Sequence, residues 1–233
     1  MLLTGPKSDS LIAKLTDEKT DNESFPWLSH KFIKLCGEDT RVLKVSYAGE
    51  KGFEIHVHNN SMKKIYDELV QHGENFNLIH FGMLALDSMR LEKNYRSWKS
   101  DLTSDYTMLQ SGLEKWIKFD KGNFIGKEAL KNEFNLGTSK KFVTLVVDDP
   151  EDNKPFGEPV YLSPVFAGDD YLGPIVSSGY GHRVKKSISM AILDDRNLNG
   201  LNDQLYIDVL GRKRKAYIVN EALYDPENLK LRS

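Results

Sequence analysis

Tyr47 and Glu54 are the two side chains whose types and spacing could do chemistry together. The runs Leu43-Val45-Tyr47 and Phe53-Ile55-Val57 read as strands joined by the turn Ala48-Gly49-Glu50-Lys51-Gly52, and a hairpin of that form sets the phenol close to the carboxylate. Side chains alternate faces along a strand, so Phe53, Ile55 and Val57 share the core face while Glu54, His56 and His58 share the other. An ionised carboxylate accepts two parallel N–H bonds, and a phenol offers a stacking face. The pair suits a flat heterocycle with two adjacent N–H donors, a pattern that a pteridine ring has. The same residues also fit a strand whose polar side chains are only hydrated, and the hairpin by itself leaves both readings open.

Other constellations carry less. Glu54-x-His56-x-His58 sets three metal-ligand types on one strand face, but the sequence places no further His, Cys or Asp to complete a shell, and no metal is expected. Ser177-Ser178-Gly179-Tyr180-Gly181-His182-Arg183 has the composition of a phosphate loop, yet it is flanked by strand-like runs rather than by a helix N-terminus, so a turn or a close backbone approach is expected. The basic groups Arg183-Val184-Lys185-Lys186 and Arg212-Lys213-Arg214-Lys215 read as solvated edges. Cys36 has no base supplied by the sequence and is assigned no chemistry, while Asp101, Asp105 and Asp120 sit in polar turns where Asp bonds its own backbone.

The elements that would position Tyr47 and Glu54 divide the chain in two. Leu11, Ile12 and Leu15 follow Gly5-Pro6 at helical spacing. The Met-Leu-Leu start reads as a strand in mid-domain, so earlier partner strands are expected to be missing or supplied by another chain. Ser61 is placed to cap a helix through Met62, Ile65, Tyr66, Leu69 and Val70 that ends at Gly73, and residues 81–93 read as a second, more deeply buried helix. From Lys141 the pattern changes to short runs, 142–147, 159–162, 175–178, 188–193, 205–210 and 216–219, with Gly211-Arg212-Lys213-Arg214-Lys215 as a hairpin connection. The expected fold class is α+β: an antiparallel sheet with packed helices over 1–135, incomplete at its N-terminus, then an all-β barrel over 141–225. The boundary is expected between 132 and 140, where periodicity is lost.

Composition excludes several classes. A chain of 233 residues with 39 % apolar content can bury a sizeable core, and a net charge of −2 gives no global attraction to nucleic acid or anionic lipid. One cysteine excludes internal disulfides, and neither a membrane-spanning apolar run nor a signal-peptide pattern occurs, so a cytoplasmic location is expected.

Five spaced blocks then converge. They are Ser46-Tyr47-Ala48-Gly49-Glu50-Lys51-Gly52-Phe53-Glu54-Ile55; Ala85-Leu86-Asp87-Ser88-Met89-Arg90-Leu91-Glu92-Lys93-Asn94-Tyr95-Arg96-Ser97-Trp98; Asp101-Leu102-Thr103 with Gly112-Leu113; Asp120-Lys121-Gly122-Asn123-Phe124-Ile125-Gly126-Lys127-Glu128-Ala129-Leu130; and Val176-Ser177-Ser178-Gly179-Tyr180-Gly181-His182. Together they resemble the glycine-cleavage T-protein (aminomethyltransferase) family, and the Leu-Glu-Lys-x-Tyr-Arg-x-Trp form of the second block is most similar to the folate-binding C-terminal region of dimethylglycine and sarcosine dehydrogenases. The resemblance implies tetrahydrofolate as cofactor, a small amine-derived one-carbon donor, and Tyr47, Glu54 and Tyr95 as folate contacts, with Glu54 at the pterin N–H edge. It also implies that the family's catalytic aspartate falls upstream of the segment matching Leu2-Leu3-Thr4-Gly5-Pro6, which leaves the catalytic residue unknown here. An arginine that T-proteins carry in the second block is Leu86 in this chain, which favours the amine-dehydrogenase branch. With no dinucleotide fingerprint present, flavin chemistry would belong to a partner chain or another domain. A one-carbon transfer module and a non-catalytic folate-binding accessory subunit are the two leading expectations, and an RNA-modification factor using the basic residues 212–215 is the third.

Overall fold

The computed structural model describes residues 1–148, 157–195, 198 and 205–233. Two compact units emerge, one comprising Met1–Lys93 and Tyr224–Ser233, the other Asn94–Leu223. The expected stretch of lost periodicity at 132–140 lies inside the second. Helices and antiparallel sheets make the α+β class, with an all-β barrel in the second unit.

In the first unit β1 (Leu2–Thr4), β2 (His30–Leu35), β3 (Glu38–Leu43) and β4 (Gly52–Val57) form an antiparallel sheet in the order β1-β4-β3-β2. Cys36 and Gly37, with φ of 54° and 81°, make a two-residue turn between β2 and β3 whose left-handed backbone matches the twist of the strands. One face of the sheet is apolar: Ile33, Leu35, Val42, Phe53 and Ile55 pack with Leu11 and Ile12 of α1 (Ser8–Ile12) and Ile65 and Leu69 of α2 (Asn59–Gly73). The period of two therefore resolves as read, with Phe53 and Ile55 buried. α2 begins three residues earlier than a Ser61 cap implies, with His58 as its cap. His58 Nδ1 accepts the Asn60 N–H at 3.4 Å, while the Ser61 hydroxyl donates to Glu38 Oε2 at 2.5 Å.

α3 (Met83–Glu92) corrects a second expectation. Its last residues Arg90, Leu91 and Glu92 are buried, but Met83 and Leu84 are 75 % and 89 % exposed, so its N-terminal half is not the core helix that its apolar content implied. Apolar spacing records which face wants cover, not whether the same chain supplies it.

In the second unit α4 (Lys127–Leu136) precedes the strands β5 (Lys140–Val147), β6 (Pro164–Ala167), β7 (Asp170–Gly181), β8 (Lys186–Asp194), β9 (Leu205–Val209) and β10 (Arg212–Val219). They close into an antiparallel barrel in the order β10-β5-β8-β7-β6-β9 around Val143, Leu145, Val165, Ile175, Ala191, Leu193 and Ile207. Three local expectations are corrected. Residues 159–162 are not a strand. Ser177–Gly181 is strand rather than a turn, paired with β8 from Ser177 opposite Met190 to Gly181 opposite Lys186, after a register shift between Ile175 and Ser177. The β9–β10 connection is only Leu210-Gly211, so residues 212–215 belong to β10, and Arg214 is buried, its Nε bonded to the Asp148 carbonyl at 2.9 Å. Among the described residues, no helix is long and apolar enough to cross a membrane.

The two sheet faces of the first unit predict opposite costs. Phe53→Ala is expected to lose about 3–5 kcal/mol in urea unfolding, as buried Phe truncations do. Phe32→Ala, on the open face at 76 % exposure, is expected to change stability by no more than about 0.5 kcal/mol.

Candidate functional site

Glu54 sits in the middle of β4, with Leu43 of β3 on one side and Leu2 of β1 on the other. Its side chain is 42 % exposed, on the face away from Phe53 and Ile55. Its Oε2 lies 3.2 Å from His56 Nε2, which uses one of the carboxylate's several acceptor positions and leaves capacity for further donors. His58 is turned to the α2 cap and does not join that pair.

Tyr47 is not on a strand. β3 ends at Leu43, and residues 44–51 form an eight-residue loop, so the residue across from Glu54 is Leu43 and not the phenol. The cause is Lys44. Its backbone stays bonded to Ser29 and Leu28, on the β2 side, and its ammonium is buried, bonded to the Thr20 carbonyl at 3.2 Å and Asn22 Oδ1 at 2.8 Å, with Asp9 Oδ1 3.5 Å away. The ammonium also lies 5.5 Å above the Phe53 ring. Burial pulls the Lys44 ammonium below its ordinary pKa, against the Asp9 carboxylate, which pulls it up. Turning this charge inward ends the pairing with β4 and releases the following residues as a loop.

That loop is nonetheless held firmly. At its end the Lys51 carbonyl accepts the Gly5 N–H at 2.8 Å and the Ser8 hydroxyl at 3.2 Å, and Lys51 Nζ is 2.6 Å from Asp9 Oδ2. In the middle Ala48 is buried, and Gly49 has a φ of 80° and lies so near Lys93 that a Cβ there would stand 2.2 Å from Lys93 Cγ. Glu50 Oε1 accepts the Tyr224 hydroxyl. Tyr47 itself is half-buried.

Sequence reasoning passed over the residues that do this work. Lys93 Nζ, buried at the end of α3, bonds the Asp225 carbonyl at 2.5 Å and Asn228 Oδ1 at 2.8 Å, and the Tyr224 N–H bonds the Glu92 carbonyl at 3.0 Å, satisfying a helix-end acceptor. Burial pushes the Asp225 carboxyl up, but the Lys230 N–H, the Lys93 ammonium and the Leu229 N–H together hold it below its ordinary value. Lysines and aspartates in a chain of this charge read as solvated. The one available signal was that Lys93 closes the Leu91-Glu92-Lys93 run at a helix end.

Tyr95 opens the second unit, half-buried, just after Asn94, whose φ of 57° terminates α3. The segment that follows is tied into its own unit: Arg96 Nε bonds the Ser111 carbonyl at 2.8 Å and its guanidinium covers the Phe142 ring at 4.2 Å. Asp101 is fully buried, accepting the Ser97 N–H at 2.7 Å and the Ser177 hydroxyl. The expected turn-capping role is thus joined by a bond to β7. Trp98, Thr103, Tyr106, Met108, Ser111 and Leu113 are among the residues that line a cavity of about 560 Å³ in this unit.

An antiparallel sheet under helices, carrying a half-exposed carboxylate and a braced loop, together with a closed six-strand barrel, defines the class to which the chain can be compared. Residues 1–121 match the family model of the GCVT N-terminal domain, and residues 140–225 that of the Glycine cleavage T-protein C-terminal barrel domain. The chain belongs to the glycine cleavage T-protein family. It is 29 % identical over 224 residues to the aminomethyltransferase of Caldanaerobacter subterraneus, covering 96 % of this chain and 58 % of that protein. It is also 29 % identical over 226 residues to human mitochondrial dimethylglycine dehydrogenase, covering 95 % of this chain and 25 % of the relative. The crystal structure of aminomethyltransferase T of the glycine cleavage system from Bartonella henselae shares the fold with a TM-score of 0.77 at 19 % identity, over 94 % of this chain and 57 % of that one. The chain therefore spans a little over half, or a quarter, of these relatives.

The depressed Asp225 value carries a sign. A carboxyl whose folded pKa lies below its unfolded one adds stability that is fully present above the ordinary value of 3.8 and is lost as pH falls through the depressed folded value. Trp27 stands 4.8 Å from the Arg232 guanidinium and reports on this segment when Trp98 and Trp116 are replaced by Phe. In that background Asp225→Asn is expected to be less stable than its parent at pH 7, with the gap closing below pH 3.8; a gap of constant size across the acid titration contradicts the assignment.

Proposed function

We propose that this chain is a tetrahydrofolate-binding module for the transfer of an aminomethyl or methylene unit, as in the aminomethyltransferase and dimethylglycine dehydrogenase that it is similar to. The observation that carries the reading is Glu54: a carboxylate with free acceptor capacity on the outward face of a central strand, over a rigid apolar floor of Phe53 and Ile55. This donor–acceptor chemistry fits the pterin edge, whose adjacent N–H groups a single carboxylate can accept. Tyr47, presented by the braced loop, is assigned to the pterin ring, and Tyr95 is assigned to the folate on the family resemblance.

When bound, tetrahydrofolate supplies the nitrogen nucleophile that takes up the one-carbon unit. The chain's own contribution is placement. Glu54 fixes the in-plane orientation of the ring, and the loop limits where Tyr47 can lie, so the rate gain comes from orientation. The donor is proposed to be a small amine-derived iminium or aminomethyl group. No residue of the chain is assigned as a proton donor. Any flavin-linked oxidation is assigned to a partner chain or further domain, and the single cysteine supports a reducing compartment such as the cytoplasm.

Glu54→Gln removes the charge and half of the bidentate acceptor. Calorimetric titration with tetrahydrofolate is expected to show binding weakened by about 1.5–3 kcal/mol, the scale of a hydrogen bond to a charged group. Unchanged affinity in a folded variant would refute the pterin contact. A parallel methylene-transfer assay on the unmodified chain separates turnover from binding alone, and binding without turnover identifies a non-catalytic accessory subunit.

A further inference from the structure

We propose that the segment Tyr224–Ser233 is a positioning element for the Tyr47 loop, holding it at two independent points and so setting its conformation for the ligand. The proposal rests on the folate reading of that loop but not on the identity of the one-carbon donor. Most of the segment lies beyond residue 225, where the family-model match ends.

The first hold is on the middle of the loop. The Tyr224 hydroxyl donates to Glu50 Oε1, three residues after Tyr47. Beside it the Lys93 side chain crosses Gly49 so closely that no Cβ fits, and its ammonium is drawn to the Asp225 carbonyl at 2.5 Å and Asn228 Oδ1 at 2.8 Å. Asp225 Oδ1 in turn accepts the Leu229 N–H at 2.8 Å, which shapes the segment around the lysine. The Lys93 stem is thus pressed on Gly49 because its head is satisfied by the segment.

The second hold is on the start of the loop. The Arg232 carbonyl accepts Asn22 Nδ2 at 3.1 Å, and Asn22 Oδ1 accepts the Lys44 ammonium at 2.8 Å, the same lysine whose inward turn ends β3. Leu231 is buried and Arg232 lies over Trp27, which anchor this end of the segment. A single asparagine therefore bonds both the segment and the residue from which the loop departs.

Hydrogen exchange by mass spectrometry on the full chain, without ligand, tests the hold directly. Tyr224→Phe and Glu50→Leu are each expected to raise exchange across residues 46–51 by about 10- to 150-fold, the range for one lost hydrogen bond to a charged acceptor, with the double variant no faster than Tyr224→Phe, which also gives up the Lys230 Nζ contact at 3.1 Å. Glu50→Gln keeps an acceptor oxygen and is expected to exchange more slowly than the similarly sized Glu50→Leu, a difference that a role for bulk alone would not produce. Strands β2 and β3, in the same unit as the loop, serve as the internal control for folding. Tetrahydrofolate affinity is expected to fall in the same order among the variants. Unchanged exchange at 46–51 in Tyr224→Phe overturns the proposal, as does raised exchange with unaltered affinity. A parent chain that takes up no tetrahydrofolate overturns the folate reading instead, and the exchange data then still decide whether the segment holds the loop.

Discussion

Burial of two ammonium groups governs this first unit. Removing a lysine charge from water costs several kcal/mol unless oxygen acceptors replace the lost hydration. Lys44 and Lys93 each find such acceptors inside the fold, Lys44 among Thr20, Asn22 and Asp9, and Lys93 between Asp225 and Asn228. Because those acceptors come from distant parts of the chain, satisfying the two charges dictates where the backbone must go. Lys44 stops a strand that its neighbours would otherwise continue, and Lys93 draws the C-terminal segment against the loop that results. A neutral residue at either position would leave carbonyls and carboxylates without their donor, so each lysine and its oxygens depend on one another.

The consequence is a surface in which a soft-looking element is rigid. An eight-residue loop in a hairpin would ordinarily sample many conformations and lose much entropy on binding a ligand. Here it is tied at its start, middle and end, so its ordering cost is met during folding. Glu54 gains its rigidity in another way, from a central strand with neighbours on both sides and buried Phe53 and Ile55 behind it. In the proposed reading, a carboxylate fixed by a sheet and a phenol carried by a braced loop would orient a flat ligand without large movement.

Apolar exposure points elsewhere. Met83 and Leu84 of α3 stand in solvent, as does Phe32 of β2, on the sheet whose other face buries Ile33, Leu35, Val42, Phe53 and Ile55. Both curated relatives described above are considerably longer than this chain. The barrel, in contrast, is closed and needs no further strand, since every strand edge is paired within it.

Much was legible in the residues alone. The family, the α+β class, the barrel and the facing of Phe53, Glu54 and Ile55 followed from ordered motifs and from the two-residue period, because both are local records of which side chains must be buried. The partner of Glu54, the loop at Tyr47, the exposure of α3 and the roles of Lys93, Tyr224 and Asn228 were not legible. Each depends on contacts between residues far apart in sequence: Asn22 with Arg232, Glu50 with Tyr224, Lys93 with Asp225. A buried lysine and a solvated one are the same letter, and only the folded chain decides which oxygens come within reach of its charge.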